Sequence, residues 1–171
     1  MKSHVQNNKI PTRYLVAGEV LVVRKPTIIT TVLGSCIAVC LWDSRTRIGG
    51  MNHFILPRWD GRAAASNRFG DVSMRTLIRR MMSWGAQRRT MKAHVFGGAT
   101  PLNLASVRLG TGPSNADVAV EALRAEGIPI VQSHTGGAVG TRLQFNTSDG
   151  SVALRDIKVS KYFGGGKGSL K

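Results

Sequence analysis

Apolar runs with the character of β-strands fill the first third of the chain. Runs rich in valine, isoleucine and threonine, separated by glycine, proline and polar turns, predict strands at 14–23, 28–32, 36–42 and 48–56. Gly18 and Glu19 interrupt the first run, which indicates a hairpin or a bulge there. The run 36–42 is apolar at both alternating sets of positions, as expected of a strand covered on both faces.

Helical spacing appears only in the middle of the chain. Within 72–84 the apolar residues recur three and four positions apart, at Met74, Leu77, Ile78, Met81 and Trp84. A second helix should begin after Ser114, with Asp117 completing a capping motif, and should end at Gly127. Short strands are predicted at 92–96, 128–131, 143–145 and 152–157, the last two as a hairpin. The prediction is a single α/β (α+β) domain with more sheet than helix.

The ends of the chain differ in composition from this domain. We predict a flexible N-terminus at 1–13, the domain at 14–159 and a disordered glycine-rich tail at 160–171. No apolar run approaches the roughly 20 residues that span a bilayer, and the polar start lacks the apolar core of a signal peptide. Two closely spaced cysteines do not form a disulfide framework. These features favour a cytoplasmic protein without membrane insertion.

The chain is strongly basic, with 24 Lys and Arg against 9 Asp and Glu and a net charge of +15. Such a charge suits a nucleic-acid binder, an acidic protein partner or an anionic membrane surface. Interleaved aromatic residues, zinc-finger spacing and RNP-type signatures are absent from the sequence, so nucleic-acid binding is disfavoured. A solvated basic surface and attraction to an acidic protein remain open, and Arg75, Arg79 and Arg80 of the first helix are candidates for the latter.

Cys36 and His53 are the candidate chemical groups. The thiol follows a Gly34–Ser35 turn, whose exposure and backbone N–H groups favour the thiolate form that attacks carbonyl carbons. His53 lies on the next predicted strand, an antiparallel neighbour from which it can act as general base. A lone cysteine or histidine is more often a core residue, so this alternative stays open, and for Cys40 it is the only interpretation. A zinc site from both cysteines is disfavoured by their separation along one strand.

Strand parity then suggests a third catalytic residue. If the segment before the thiol is extended, Thr30 and Cys36 point to the same side and Thr31 points to the other. Thr30 would then supply a hydroxyl or carbonyl oxygen to orient the imidazole of His53, in the place that an Asp or Asn often takes.

Two segments of the sequence resemble the signature of a known family. Residues 30–43 (TTVLGSCIAVCLWD) and 49–57 (GGMNHFILP) are similar to the CheD chemoreceptor glutamine deamidases. The resemblance continues through 95–99, 127–130 and Gly136–Gly137, and covers 16–157. It implies catalytic roles for Cys36, His53 and Thr30, and a fold similar to the cytotoxic necrotizing factor catalytic domain, with layered mixed sheets and two main helices.

The resemblance also implies a reaction and its partners. The reaction is hydrolysis of receptor glutamine side chains to glutamate and ammonia through a thioester, without cofactor or metal, and some members also cleave glutamyl methyl esters. Expected partners are chemoreceptor cytoplasmic domains and a CheC-type phosphatase, with the protein itself a monomer. Gly34, Ser35 and Asn52 are candidates for substrate or oxyanion binding. The alternative is a non-catalytic adaptor of the same fold.

Three positions depart from the family pattern. His134 replaces the usual Asp before the second Gly-Gly motif, Ser114–Asn115 replaces Arg-Asn before the second helix, and 140–142 is altered from the usual Gly-Arg. All three lie outside the proposed catalytic residues, so they bear on substrate or partner specificity more than on the chemistry.

Overall fold

The computed structural model describes residues 9–100 and 114–157. The predicted tail 160–171 and most of the predicted flexible segment 1–13 lie outside these ranges, although Thr12 and Arg13 belong to a strand. The helices are α1 (Gly70–Ser83) and α2 (Asn115–Ala125). The strands are β1 (Thr12–Tyr14), β2 (Val20–Val23), β3 (Ile28–Leu33), β4 (Ile37–Asp43), β5 (Ile48–Phe54), β6 (Met91–Gly97), β7 (Ile130–Thr135), β8 (Thr141–Asn146) and β9 (Val152–Asp156).

The strands form two mixed sheets. The small sheet has the order β1-β3-β8-β9 and the large sheet the order β2-β5-β4-β6-β7. Most neighbours are antiparallel, while β1 with β3 and β6 with β7 are parallel. The predicted α+β class, with layered mixed sheets and two main helices, is confirmed.

Two hydrophobic cores separate three layers. Alternate residues of β4 point to opposite faces of the large sheet, as strand geometry requires. Ala38 and Cys40 lie in the core between the sheets, whereas Ile37, Val39 and Leu41 lie in the core beneath the helices. The unbroken apolar run 36–42 therefore reflects a central strand that is buried on both faces, as predicted.

Both helices bury the faces that the sequence indicates. Met74, Leu77, Ile78 and Met81 of α1 are buried against the large sheet, while Trp84 lies at the C-cap and is exposed. Helix α2 begins with a capping box in which Ser114 and Asp117 satisfy each other's backbone N–H groups. No described helix is long and apolar enough to cross a membrane.

The predicted hairpin or bulge at 14–23 is wrong, because β1 and β2 belong to different sheets. The chain crosses from the small to the large sheet through a turn at Gly18, which has a φ of 88° and donates its N–H to the His53 carbonyl at 2.7 Å. This crossing buries Leu15 in the core between the sheets. The Leu15 carbonyl consequently accepts a hydrogen bond from the Thr31 hydroxyl.

Candidate active site

Cys36 lies at the point where the chain passes from the small sheet to the large one. It is a free, partly exposed thiol in the bend between β3 and β4. The glycine loop after β6 fixes this bend, since Gly98 donates its N–H to the Cys36 carbonyl and Ala99 to the Gly34 carbonyl, both at 2.9 Å. Gly97 has a φ of 111°, and a Cβ there would lie 2.1 Å from the Cys36 carbonyl oxygen. Only glycine permits this close approach.

His53 lies on the face of the large sheet that is turned toward the small sheet, the face that also carries Ala38. Strands β4 and β5 are antiparallel neighbours, as predicted, with His53 directly opposite Ala38. Cys36 precedes Ala38 by two residues and lies in the bend just before β4, at the end of the sheet where His53 is found. His53 is 5% exposed, and its Nε2 has no hydrogen-bond partner among the described residues.

The oxygen that contacts the imidazole comes from Thr31, and the predicted contact with Thr30 is not made. Thr31 Oγ1 lies 2.9 Å from His53 Nδ1, in the core between the sheets. The Thr30 hydroxyl instead donates to the Leu143 carbonyl at 2.9 Å, and the Thr30 carbonyl accepts from Leu15 N–H. Both oxygens of Thr30 therefore have partners outside the site.

The parity argument fails for a physical reason. It assumed one extended segment from Thr30 to Cys36, but the chain bends at 34–36 as it changes sheets. Alternation holds within β3, where Ile29, Thr31 and Leu33 are all fully buried. The bend breaks this alternation, so the parity of Cys36 does not decide which threonine faces the imidazole, and the contact falls to Thr31.

The hydrogen bonds around Thr31 determine the tautomer of His53. The Thr31 hydroxyl donates to the Leu15 carbonyl at 2.7 Å, because a carbonyl can only accept. Its oxygen must then accept from His53, which places the imidazole proton on Nδ1. Nε2 is left with a free lone pair, the arrangement that a general base needs.

Burial keeps both candidate groups neutral. It lowers the pKa of His53 below its usual value, although the Leu15 carbonyl opposes this. It also raises the pKa of Cys36, more than the residue's own N–H and the Ser35 side chain lower it. The raised pKa of the Cys36 thiol opposes the thiolate form that the Gly34–Ser35 turn was expected to favour.

The three predicted substrate-binding residues occupy different places. Gly34 and Ser35 are exposed beside Cys36, and the space next to the Gly34 Cα is open. Asn52 is fully buried, and its amide accepts from Val39 N–H and contacts Met74 Sδ. Asn52 precedes His53 by one residue on β5 and so faces the helices. The prediction of an oxyanion role for Asn52 is corrected.

Other predicted residues lie away from the site or at its margin. Cys40 is fully buried in the core between the sheets, and desolvation raises its pKa, which confirms its structural interpretation. Within the described ranges, no three His, Cys, Asp or Glu side chains are grouped to hold a metal ion. His134 is exposed on β7 and lines a small cavity with Gly34 and Gly136.

The arginines of α1 are exposed, as predicted, but they lie in the helical layer. Arg75 pairs with Asp71, and Arg80 donates to the Val20 carbonyl at 2.7 Å. The large sheet separates this layer from the face that carries Cys36. Arg75, Arg79 and Arg80 are thus not positioned to hold a partner over the thiol.

Comparison with known proteins places the chain in a family. The model of CheD, described as chemotactic sensory transduction, matches residues 55–156. A Sulfurimonas denitrificans protein named probable chemoreceptor glutamine deamidase CheD is 38% identical over 151 residues, covering 88% of this chain and 97% of that protein. The chain belongs to the CheD family. The resemblance seen in the sequence is confirmed.

Two further curated relatives agree with this membership. Proteins of the same name from Rhodospirillum rubrum and Trichlorobacter lovleyi are 40% and 43% identical. The two alignments cover 88% and 74% of this chain, and 85% and 78% of the respective relatives. Among solved structures, a Neisseria meningitidis protein of family DUF152 aligns with a TM-score of 0.48 at 16% identity, covering 76% of this chain and 65% of that one.

Proposed function

We propose that this protein is a cysteine amidohydrolase that converts glutamine side chains of chemoreceptors to glutamate. Membership of a family whose relatives are named chemoreceptor glutamine deamidases supports the substrate. The observation that carries the chemistry is the contact between Thr31 and His53 Nδ1, which leaves the Nε2 lone pair free to accept a proton from Cys36.

Acylation begins with proton transfer from the Cys36 thiol to His53 Nε2. The sulfur attacks the carboxamide carbon of the glutamine, whose oxygen takes the electron pair of the C=O bond. The Cys36 N–H already faces the sulfur, and we assign it as a backbone donor for this oxyanion. When the tetrahedral intermediate collapses, the C–N bond breaks and Nε2–H protonates the leaving group, which departs as ammonia.

Deacylation repeats the same steps with water. Nε2 removes a proton from water as its oxygen attacks the thioester carbon, and the C–S bond breaks to give glutamate. The proton returns from Nε2 to the sulfur and restores the thiol. In both half-reactions the Thr31 hydroxyl and the Leu15 carbonyl hold the Nδ1–H end, which stabilises the imidazolium through neutral oxygens instead of a carboxylate.

The charge of the molecule fits an acidic substrate surface. Receptor modification sites are expected to be rich in Glu and Gln, and a net charge of +15 attracts such a surface over long range. Because the α1 arginines lie across the large sheet from Cys36, we assign this attraction to the overall charge. Cytoplasmic localisation, expected from the sequence, and a CheC-type phosphatase partner and a monomeric state, expected from the resemblance, stay predictions.

The test is incubation with a purified receptor cytoplasmic domain, with ammonia detection and mass mapping of glutamine-to-glutamate conversion. Hydroxylamine should capture the thioester as a hydroxamate. Wild-type protein should release ammonia, whereas Cys36→Ala should release none, and Cys40→Ala should lose activity only as far as it loses the fold. Receptor binding by wild type without ammonia release would contradict the proposal and favour the adaptor alternative.

A further inference from the structure

The pairing between β4 and β5 stops beside the reactive groups. The ladder between these strands ends at the pair Ile37 and Phe54, so Cys36 and Ile55 are the first residues beyond it. Ile55 already bonds elsewhere, since its N–H donates to the Arg68 carbonyl at 2.9 Å. Strand pairing at this end therefore does not fix the distance between the Cys36 thiol and the His53 imidazole.

The side chain of Asn115 joins the two separating strands. Its Nδ2 lies 2.7 Å from the Ile55 carbonyl and 3.4 Å from the Ser35 carbonyl. Ser35 immediately precedes Cys36, and Ile55 is two residues after His53. One amide nitrogen with two hydrogens thus bridges the segments that carry the nucleophile and the base.

The oxygen of the Asn115 amide shows which atoms of this side chain make favourable contacts. Asn115 Oδ1 is buried and has no hydrogen-bond partner in the described chain, which is an unfavourable state for an acceptor. Ser114 and Asp117 already satisfy the start of α2, so the helix does not need Asn115 as its cap. The favourable contribution of this side chain therefore comes from its two N–H groups.

We propose that Asn115 is a positioning residue that holds the Cys36 bend against the end of β5, and so sets the approach of the thiol to His53 Nε2. This role rests on the proposed deamidase function. Asn115 is the first residue of α2, and its side chain contacts the Ser35 and Ile55 carbonyls from the helical layer.

Two variants of Asn115 and one control test the proposal. Asn115→Ala removes the bridge, and Asn115→Asp keeps its shape and suits a helix N-terminus but has no N–H to donate. Ser114→Ala weakens the cap of the same helix without removing the bridge. Against a receptor domain, both Asn115 variants should lose about 100-fold in kcat with KM little changed, because small misplacements of reacting groups cost about that much. Ser114→Ala should keep kcat while its melting temperature falls.

A substrate-independent readout separates this proposal from the deamidase function. The rate at which iodoacetamide alkylates Cys36 near neutral pH should fall in both Asn115 variants toward that of His53→Ala, and stay near wild type in Ser114→Ala. Unchanged alkylation in the folded Asn115 variants, or a rise in KM with kcat kept, would overturn the positioning role. If wild type releases no ammonia yet the alkylation pattern holds, the deamidase proposal fails and the positioning role stands.

Discussion

Replacing Thr31 with valine should damage turnover far more than replacing Thr30. Valine has nearly the shape of threonine, so neither change opens a large cavity. Thr31→Val removes the oxygen that accepts from His53 Nδ1, whereas Thr30→Val removes a donor to the Leu143 carbonyl. Which of the two variants loses more kcat therefore depends on which hydroxyl accepts the hydrogen bond from His53 Nδ1.

The expected size follows from the buried Nδ1–H. Without Thr31 Oγ1 this donor keeps only the Leu15 carbonyl, and the loss of the hydroxyl partner costs about 1–3 kcal/mol. The imidazole avoids this cost by changing tautomer, with its proton on Nε2. A protonated Nε2 can no longer accept a proton from Cys36. Since about 1.4 kcal/mol is tenfold in rate, kcat should fall roughly 10- to 100-fold. Thr30→Val should cost about 1 kcal/mol of stability and leave kcat within about threefold.

The assay is steady-state ammonia release from a receptor domain, with urea unfolding of each variant. Thr31→Ser is the matched control, because it keeps the hydroxyl and should recover most of kcat. A larger loss of kcat for Thr30→Val than for Thr31→Val would refute the tautomer argument. So would a Thr31→Ser variant as slow as Thr31→Val while still fully folded.

Four further outcomes are expected. Cys36→Ala should abolish deamidation while leaving receptor binding and the melting temperature nearly unchanged. Gly97→Ala should lower the melting temperature and activity together, because its Cβ would collide with the Cys36 carbonyl oxygen. Burial lowers the pKa of both His53 and His94, so the unfolded chain takes up protons first as pH falls below about 6.5. The free energy of unfolding in urea should then decrease with falling pH there, and less so in His94→Gln. Receptor deamidation at limiting substrate should slow as salt rises, while hydrolysis of a small neutral amide should not.

The parts of the site that follow local rules could be predicted from the sequence. A short turn between two apolar strands makes them antiparallel neighbours, and this placed His53 opposite Ala38, two residues from Cys36. The capping box at Ser114 and Asp117 follows from residue types alone. Each of these predictions needs only the spacing of residues within one element or across one turn.

The parts that depend on where the chain changes sheets could not be predicted in this way. Alternation assigns faces only within one strand, and the chain bends at 34–36. The parity argument therefore assigned to Thr30 the imidazole contact that Thr31 makes. The Leu15 carbonyl reaches the site because β1 and β2 lie in different sheets, which their spacing does not reveal. Asn115 meets Ser35 and Ile55 across a sequence separation that no local pattern encodes.

A neutral thiol beside a neutral imidazole suits an enzyme whose substrate is a protein side chain. A standing thiolate at the partly exposed Cys36 would be open to oxidation and to small electrophiles. Burial opposes that form here, and the neutral oxygens of Thr31 and Leu15 stabilise imidazolium less than a carboxylate would. In the proposed mechanism, charge separation is therefore favoured only where the attack creates an oxyanion that backbone N–H groups stabilise. The thiol would then become strongly nucleophilic only when the carboxamide is bound.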